Sequence, residues 1–203
     1  MQNNNLPLLN SIVDDLTHRG YSIQPNALPN ELGLGLYDYI NNKTTADLKQ
    51  AGIGRNDLHA VDQKIRSDHI EWIDGKSSLE KNWLDWIDEL RSHINRRLFL
   101  GLERFESHYA YYPKGAFYQR HRDAFVGQSN RILSLVTYLN AEWCVEQGGE
   151  LILYRNDNDA VGKAVLPAFG TLVLFLSEEF PHEVCTATRD RYSIAGWFRA
   201  RSE

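Results

Sequence analysis

The chain has 203 residues, a net charge of −5, 42% hydrophobic and 24% charged residues. That length can bury one sizeable core without disulfide or metal staples, and the balance excludes collagenous, disordered and strongly cationic classes. With no apolar run near the ~20 residues of a membrane span, no secretory pattern in MQNNNLPLLNSIVDDL and no basic footprint for direct nucleic-acid binding, the expectation is a cytoplasmic, membrane-free, single-domain protein. Its two cysteines, Cys144 and Cys185, read as reduced and buried structural thiols. The unusual entry is the aromatic share, 11%, with five Trp and ten Tyr.

Helical spacing dominates the first half. Leu9, Ile12, Val13 and Leu16 recur at i, i+3, i+4 and i+7, which predicts a helix over 7–19 with Pro7 at its start and Gly20 at its stop. A second helix is predicted from Pro29 to about Asn42 on a stripe of Leu32, Leu36 and Ile40, weakened at Gly33 and Gly35. Residues 44–76 carry many charges, Gly52 and Gly54, and little helical period. Their end, 64–73, alternates as a strand does. The rest reads as a long loop, and loops of that length are often lids. The strongest helix is 78–99, where Leu79, Trp83, Trp86, Ile87, Leu90, Ile94 and Leu98 form one apolar stripe and Ser77 and Glu80 have capping-box spacing.

Beyond residue 103 short alternating runs take over. Strands are predicted at 103–112, 117–123, 131–139, 150–154, 163–166, 171–176, 181–185 and 190–199, separated by turn residues such as Pro113-Lys114-Gly115 and Gly148-Gly149. About eight short strands at this spacing indicate a sandwich or closed barrel, with the preceding helices packed on one outer face. The chain therefore divides into a helical support over 1–102, with a lid-like loop at about 44–70 that the resemblance given below makes a mobile substrate loop, and a β core over 103–200.

Three features carry chemistry. In Tyr118-Gln119-Arg120-His121-Arg122-Asp123, strand alternation would put His121 and Asp123 on one face, where an imidazole and a carboxylate can grip one metal ion. With seven histidines in the chain, a His-x-Asp pair arises by chance about half the time, so it needs company. His69-Ile70-Glu71 is a comparable pair with no third ligand in view. His182, after Pro181, is by itself more often a satisfied core histidine. Joined to His121 and Asp123 it completes two His and one carboxylate, the facial set of non-haem Fe(II) oxygenases. Nine residues on, Arg191 shares a face with Ser193, Ala195 and Trp197, while Tyr192, Ile194 and Phe198 face the other way. A guanidinium beside small side chains suits a bidentate grip on a carboxylate. Tyr138, on the face of Ile132, Ser134 and Val136, reads either as a core tyrosine or as a second donor to that carboxylate.

The segments IRSDHIEWIDGK (65–76), YYPKGAFYQRHRD (111–123), RILSLVTYLNAEW (131–143), GGELILY (148–154) and FPHEVCTATRDRYSIAGWF (180–198) together resemble the Fe(II)/2-oxoglutarate-dependent prolyl 4-hydroxylases, and most of all the bacterial relatives of the animal oxygen-sensing prolyl hydroxylase domains. The resemblance implies an α+β fold with a double-stranded β-helix, or jelly-roll, core. It implies Fe(II) held by His121, Asp123 and His182, and 2-oxoglutarate bound by Arg191, Tyr138 and Tyr112. Arg131 and Trp197 would line the substrate entrance, and Arg66 and Asp68 would sit on the mobile loop over the bound peptide. Dioxygen would be the second cosubstrate, ascorbate an accompanying reductant, and the product a 4-hydroxylated prolyl residue in a protein loop, with elongation factor Tu a candidate target. The chain departs from the animal pattern at Thr137, where those proteins carry a second tyrosine, and at Ala195, where they carry a threonine. Two alternatives stand beside this reading. One is a 2-oxoglutarate oxygenase acting on another side chain or a small molecule. The other is a metal-binding jelly roll without turnover.

Overall fold

The computed structural model describes residues 5–51, 65–124 and 130–201. Three helices form where apolar side chains recur on one stripe. Helix α1 (Leu6–Arg19) buries Leu9, Ile12, Val13 and Leu16. Gly20, at φ 72°, closes it by donating to the Leu16 carbonyl, a left-handed stop that suits glycine. Helix α2 (Asn30–Asn41) buries Leu36 and Ile40. Its Gly33 has a packing reason, since a Cβ there would lie 2.8 Å from the Phe169 ring. Helix α3 (Ser78–Leu98) starts with the expected capping box. The Ser77 hydroxyl accepts from the Glu80 N–H at 3.1 Å, and the Glu80 carboxylate accepts from the Ser77 N–H at 3.4 Å. Trp83, Ile87, Leu90 and Ile94 are buried, and the Trp83 indole donates to the Ser107 hydroxyl at 3.1 Å, tying the helix to the sheet.

The strands are β1 (Tyr21–Gln24), β2 (Lys49–Gln50), β3 (His69–Trp72), β4 (Leu102–Tyr112), β5 (Tyr118–His121), β6 (Arg131–Tyr138), β7 (Leu151–Leu153), β8 (Lys163–Val165), β9 (Leu172–Leu176), β10 (His182–Val184) and β11 (Arg191–Ala200). The eight strands expected from the sequence are β4 to β11. With β1, β2 and β3 they form two antiparallel sheets, with orders β1-β9-β6-β11-β4-β3-β2 and β5-β10-β7-β8. Leu151, Val165 and Val184 of the small sheet pack with Ala110, Tyr112, Tyr138, Val173 and Phe175 of the large one. The opposite face of the large sheet buries Leu102, Tyr109, Leu133, Leu135, Leu174, Ile194 and Phe198 against the helices. This is an α+β protein with a double-stranded β-helix core and helices on one outer face.

Several expectations are corrected. Strand β1 was not anticipated. It extends the large sheet through β9, Ser22 facing Leu174; Tyr21 and Ile23 alternate with Ser22 and Gln24, but four residues are too short a run to stand out beside the helix that precedes them. Residues 44–70 are not one loop. Lys49–Gln50 pairs with β3, and β3 pairs with β4, while 52–64, including Gly52 and Gly54, lies outside the described residues. The predicted strand 117–123 stops at His121, and Asp123 lies on the bend that follows. Nor are both thiols buried. Cys144 is exposed, at the lip of the turn Val145–Gln147, and Cys185 is half-buried, with burial pushing its thiol pKa up. Among the described residues no helix is long and apolar enough to cross a membrane.

Candidate active site

The site lies in a cleft of about 510 Å³, including its open mouth, between the two sheets. Strands β5 and β10 pair so that His182 stands directly opposite His121. Asp123 reaches the same point from the bend. One ligand atom from each residue fits within a sphere where all lie within 4.8 Å of one another. Among the described residues this is the only group of three or more such side chains. His69 and Glu71 gain no third ligand; the Glu71 carboxylate instead accepts from the Tyr39 hydroxyl at 2.9 Å.

Backbone carbonyls set the tautomers. His121 Nδ1 lies 2.8 Å from the Gln119 oxygen, and His182 Nδ1 lies 3.1 Å from the Phe180 oxygen. A carbonyl only accepts, so each Nδ1 carries the proton and each Nε2 keeps its lone pair for a cation. Both Nε2 atoms sit 3.6 Å from Asp123 carboxylate oxygens. Burial lowers the His182 pKa to about 4, and His121 beside it adds to the effect. Burial alone would raise the Asp123 carboxyl, but His182, His121 and the Ser134 hydroxyl outweigh it and hold it well below the usual carboxylate range. The Ser134 hydroxyl donates to Asp123 at 2.6 Å and contacts the Ser177 hydroxyl at 2.9 Å. Tyr118 stacks on the His121 ring with centroids 3.6 Å apart, fixing the imidazole plane.

Arg191 is 1% exposed and lines the same cleft. Its Nε donates to the Gly149 carbonyl at 2.9 Å and its Nη1 to the Ser193 hydroxyl at 3.4 Å. A Cβ on Gly149, whose φ is 75°, would come within 3.3 Å of the Arg191 side chain, so glycine lets that carbonyl approach. Among the described residues no carboxylate pairs with Arg191. A buried cation without a counter-charge is costly. Its guanidinium lies 5.0 Å from the ring centroids of both Tyr112 and Tyr138. The Tyr138 hydroxyl is buried without a partner, and burial pushes its pKa to about 12, so it stays a donor. A lone guanidinium and an unsatisfied phenol next to two bare imidazole nitrogens and a carboxylate fit an iron-bound carboxylic acid cosubstrate. Of the two departures from the animal pattern, only Ala195 lines the cleft. Thr137 donates to the Thr171 carbonyl at 3.1 Å from within the core.

The remaining expected residues divide. Trp197 lines the cleft, 8% exposed, with the Arg131 guanidinium 3.8 Å above its ring. Arg66 also lines it, but as a tied residue rather than part of a free loop. It pairs with the fully buried Asp68 through contacts of 2.6 and 2.8 Å and bridges to Tyr118 of β5. Sequence reasoning missed three groups. Ser134 holds Asp123, and its place on the Tyr138 face was the available signal. Glu106 ties Arg131 and Arg199 through contacts of 2.9 Å each. His108 lines the cleft wall. Reading the period of two backward from Tyr112 along β4 finds both Glu106 and His108.

A family profile described as the 2OG-Fe(II) oxygenase superfamily matches residues 107–199. The fold superposes on a Pseudomonas putida prolyl-4-hydroxylase at 42% identity and a TM-score of 0.84, over 96% of this chain and 100% of that one. A Trichoplax adhaerens prolyl hydroxylase, solved with a hypoxia inducible factor oxygen degradation domain peptide fragment, matches at 29% identity and a TM-score of 0.82, over 96% and 90%. Human Egl nine homolog 1 is 31% identical over 141 residues, 66% of this chain and 33% of that protein. The chain thus spans about a third of that curated relative, and 21% of the Caenorhabditis elegans hypoxia-inducible factor prolyl hydroxylase. The chain belongs to the 2OG-Fe(II) oxygenase superfamily. Within it, sequence and structure relate the chain to the bacterial and animal prolyl hydroxylases.

Proposed function

We propose that this chain is an Fe(II)- and 2-oxoglutarate-dependent dioxygenase that hydroxylates C4 of a prolyl residue in a protein substrate. The observation that carries this reading is the buried Arg191, without a carboxylate partner, facing the same cleft as His121, Asp123 and His182. Iron with 2-oxoglutarate and dioxygen supplies the oxidising chemistry. The protein's own residues bind, orient and shield. His121 and His182 offer Nε2 lone pairs held in place by carbonyls on their other nitrogens. Asp123 is the anionic ligand, kept ionised by its neighbours and aimed by Ser134. Arg191 and Tyr138 take the distal carboxylate of 2-oxoglutarate, with Tyr112 packed beside them. In a site closed off from water this pairing is stronger than it would be in bulk solvent. The rings of Tyr118 and Trp197 and the side chains of Val184 and Leu151 give the cleft that would hold the metal a largely apolar lining, which would limit side reactions with water.

For the substrate we assign Trp197 and Arg131 to the entrance, and the Arg66–Asp68 pair to the wall beside it. The relatives support a protein substrate bearing a target proline, which we place in a loop. Elongation factor Tu is the candidate we carry forward, in the cytoplasm, with ascorbate as reductant.

The test is mass spectrometry of a bacterial lysate incubated with the enzyme, Fe(II), ascorbate and 2-oxoglutarate. A gain of one oxygen on one proline is expected, absent with Arg191→Ala unless 2-oxoglutarate is raised severalfold. Succinate formation with oxygen added at another residue or on a small molecule would replace the prolyl reading. No succinate at all would leave a metal-binding jelly roll.

A further inference from the structure

We propose that His108 is a substrate-recognition residue, its Nε2 accepting a hydrogen bond from a backbone N–H next to the target proline. This rests on the prolyl hydroxylase reading and adds a contact to it.

His108 is 2% exposed and lines the cleft from β4. Register places it between Ala195 of β11 and Trp72 of β3, and Val136 of β6 lies beyond Ala195. The row Trp72, His108, Ala195, Val136 thus crosses the sheet from its outer side into the cleft. Trp72 is 48% exposed, so the row begins at solvent. Two indoles fix the imidazole, Trp72 edge-on with centroids 5.2 Å apart and Trp197 at 5.6 Å. The tautomer is set as it is in the two metal-facing histidines. Nδ1 lies 3.1 Å from the Tyr109 carbonyl, which can only accept, so Nε2 carries the lone pair. Among the described residues no group donates to that Nε2. Burial, with Arg66 nearby, lowers the pKa to about 4, which keeps the ring neutral.

A neutral acceptor flanked by two indoles, with Arg66, Asp68 and Arg131 close enough to act on it, does not itself attract the carboxylates of a cosubstrate. It calls for a donor that enters the cleft. A peptide chain entering past Trp72 brings backbone N–H groups along this row. Proline has no N–H, so the donor belongs to one of its neighbours. An ordered water is the alternative occupant.

The measurement is calorimetric binding of a 15-residue peptide, centred on the proline that the wild-type enzyme hydroxylates, to the zinc-loaded full chain with 2-oxoglutarate. Zinc has no redox chemistry, so binding is read without turnover. His108→Leu should weaken peptide binding about three- to tenfold, the worth of one net hydrogen bond. The affinity for 2-oxoglutarate should stay within about twofold. His108→Gln, which retains an acceptor at similar reach, should recover most of the loss. N-methylation of one of the two residues flanking the proline should weaken wild-type binding by a similar factor and cost nothing further in His108→Leu. Wild-type affinity in His108→Leu overturns the proposal. So do equal losses for peptide and 2-oxoglutarate, which mark a structural role, and N-methyl effects that are the same with and without the imidazole, which mark a water. If His108→Leu does not fold, His108→Gln and the N-methylated peptides on the wild type decide. A protein that makes succinate but hydroxylates no proline removes the prolyl reading itself, and this contact with it. A hydroxylated proline with unchanged His108→Leu binding removes this contact alone.

Discussion

The two faces of strand β11 differ in what they are for. Tyr192, Ile194 and Phe198 point to the helices, where Ile194 and Phe198 have no exposed surface. Arg191, Ser193, Ala195 and Trp197 point into the cleft, where a cation is held without a counter-charge. Alternate residues of one strand thus serve packing and chemistry separately. The large sheet as a whole repeats the division: its face toward α1 to α3 is core throughout, while its face toward the small sheet adds to a second apolar cluster the polar groups of the cleft. A site of desolvated, unpaired groups is destabilising by itself. It persists because the opposite face of the same backbone is anchored in the main core.

Substitutions on the two faces should therefore separate activity from stability. The largest effect is expected on the cleft side. Asp123→Ala should abolish iron binding and succinate formation while the protein stays folded, read by metal titration and circular dichroism; normal succinate production would break the metal assignment. On the helix side, Phe198→Ala should cost about 3–5 kcal/mol in urea unfolding, with the 2-oxoglutarate requirement of the folded fraction unchanged. A raised requirement there would show that the faces are not independent. Ser134→Ala should keep all three ligands and weaken iron affinity about 10–100-fold, the usual weight of a group that orients a ligand. Unchanged affinity would remove Ser134 from that role.

The smallest effect is a pH dependence. His108 has its pKa lowered to about 4 by burial and by Arg66, from an ordinary value of 6.5. Below pH 6.5 the unfolded chain takes up a proton that the folded chain refuses until about pH 4, so stability present above 6.5 is lost as pH falls through that window. Relative to His108→Gln, wild type should lose about 2 kcal/mol of unfolding free energy between pH 7.5 and 5. Parallel pH profiles would show that the imidazole is not desolvated.

Much of this architecture was legible from residue order. The i, i+3, i+4 stripes and the Ser77–Glu80 box located the three helices, because helix periodicity and capping are local properties. The alternation along β11 separated the Arg191 face from the Ile194 face for the same reason. The His-x-Asp pair, His182 and Arg191 were visible as spacing, though alternation was the wrong ground for pairing His121 with Asp123. Strand β5 ends at His121, and Asp123 arrives from a bend.

What residue order determined by itself was which side chains share a face of one helix or strand, since that follows from the 3.6- and two-residue repeats of the backbone. Only the tertiary structure decided which faces meet. The register of β10 on β5 put His182 opposite His121. The pairing of β9 with β1 drew Tyr21–Gln24 into the sheet, and Ser134 closed on Asp123 from another strand. Glu106 gathered Arg131 with Arg199, and β3 carried Trp72 beside His108. Each joins residues far apart in sequence, and such pairings are set by the packing of whole sheets, which no short window of residues contains.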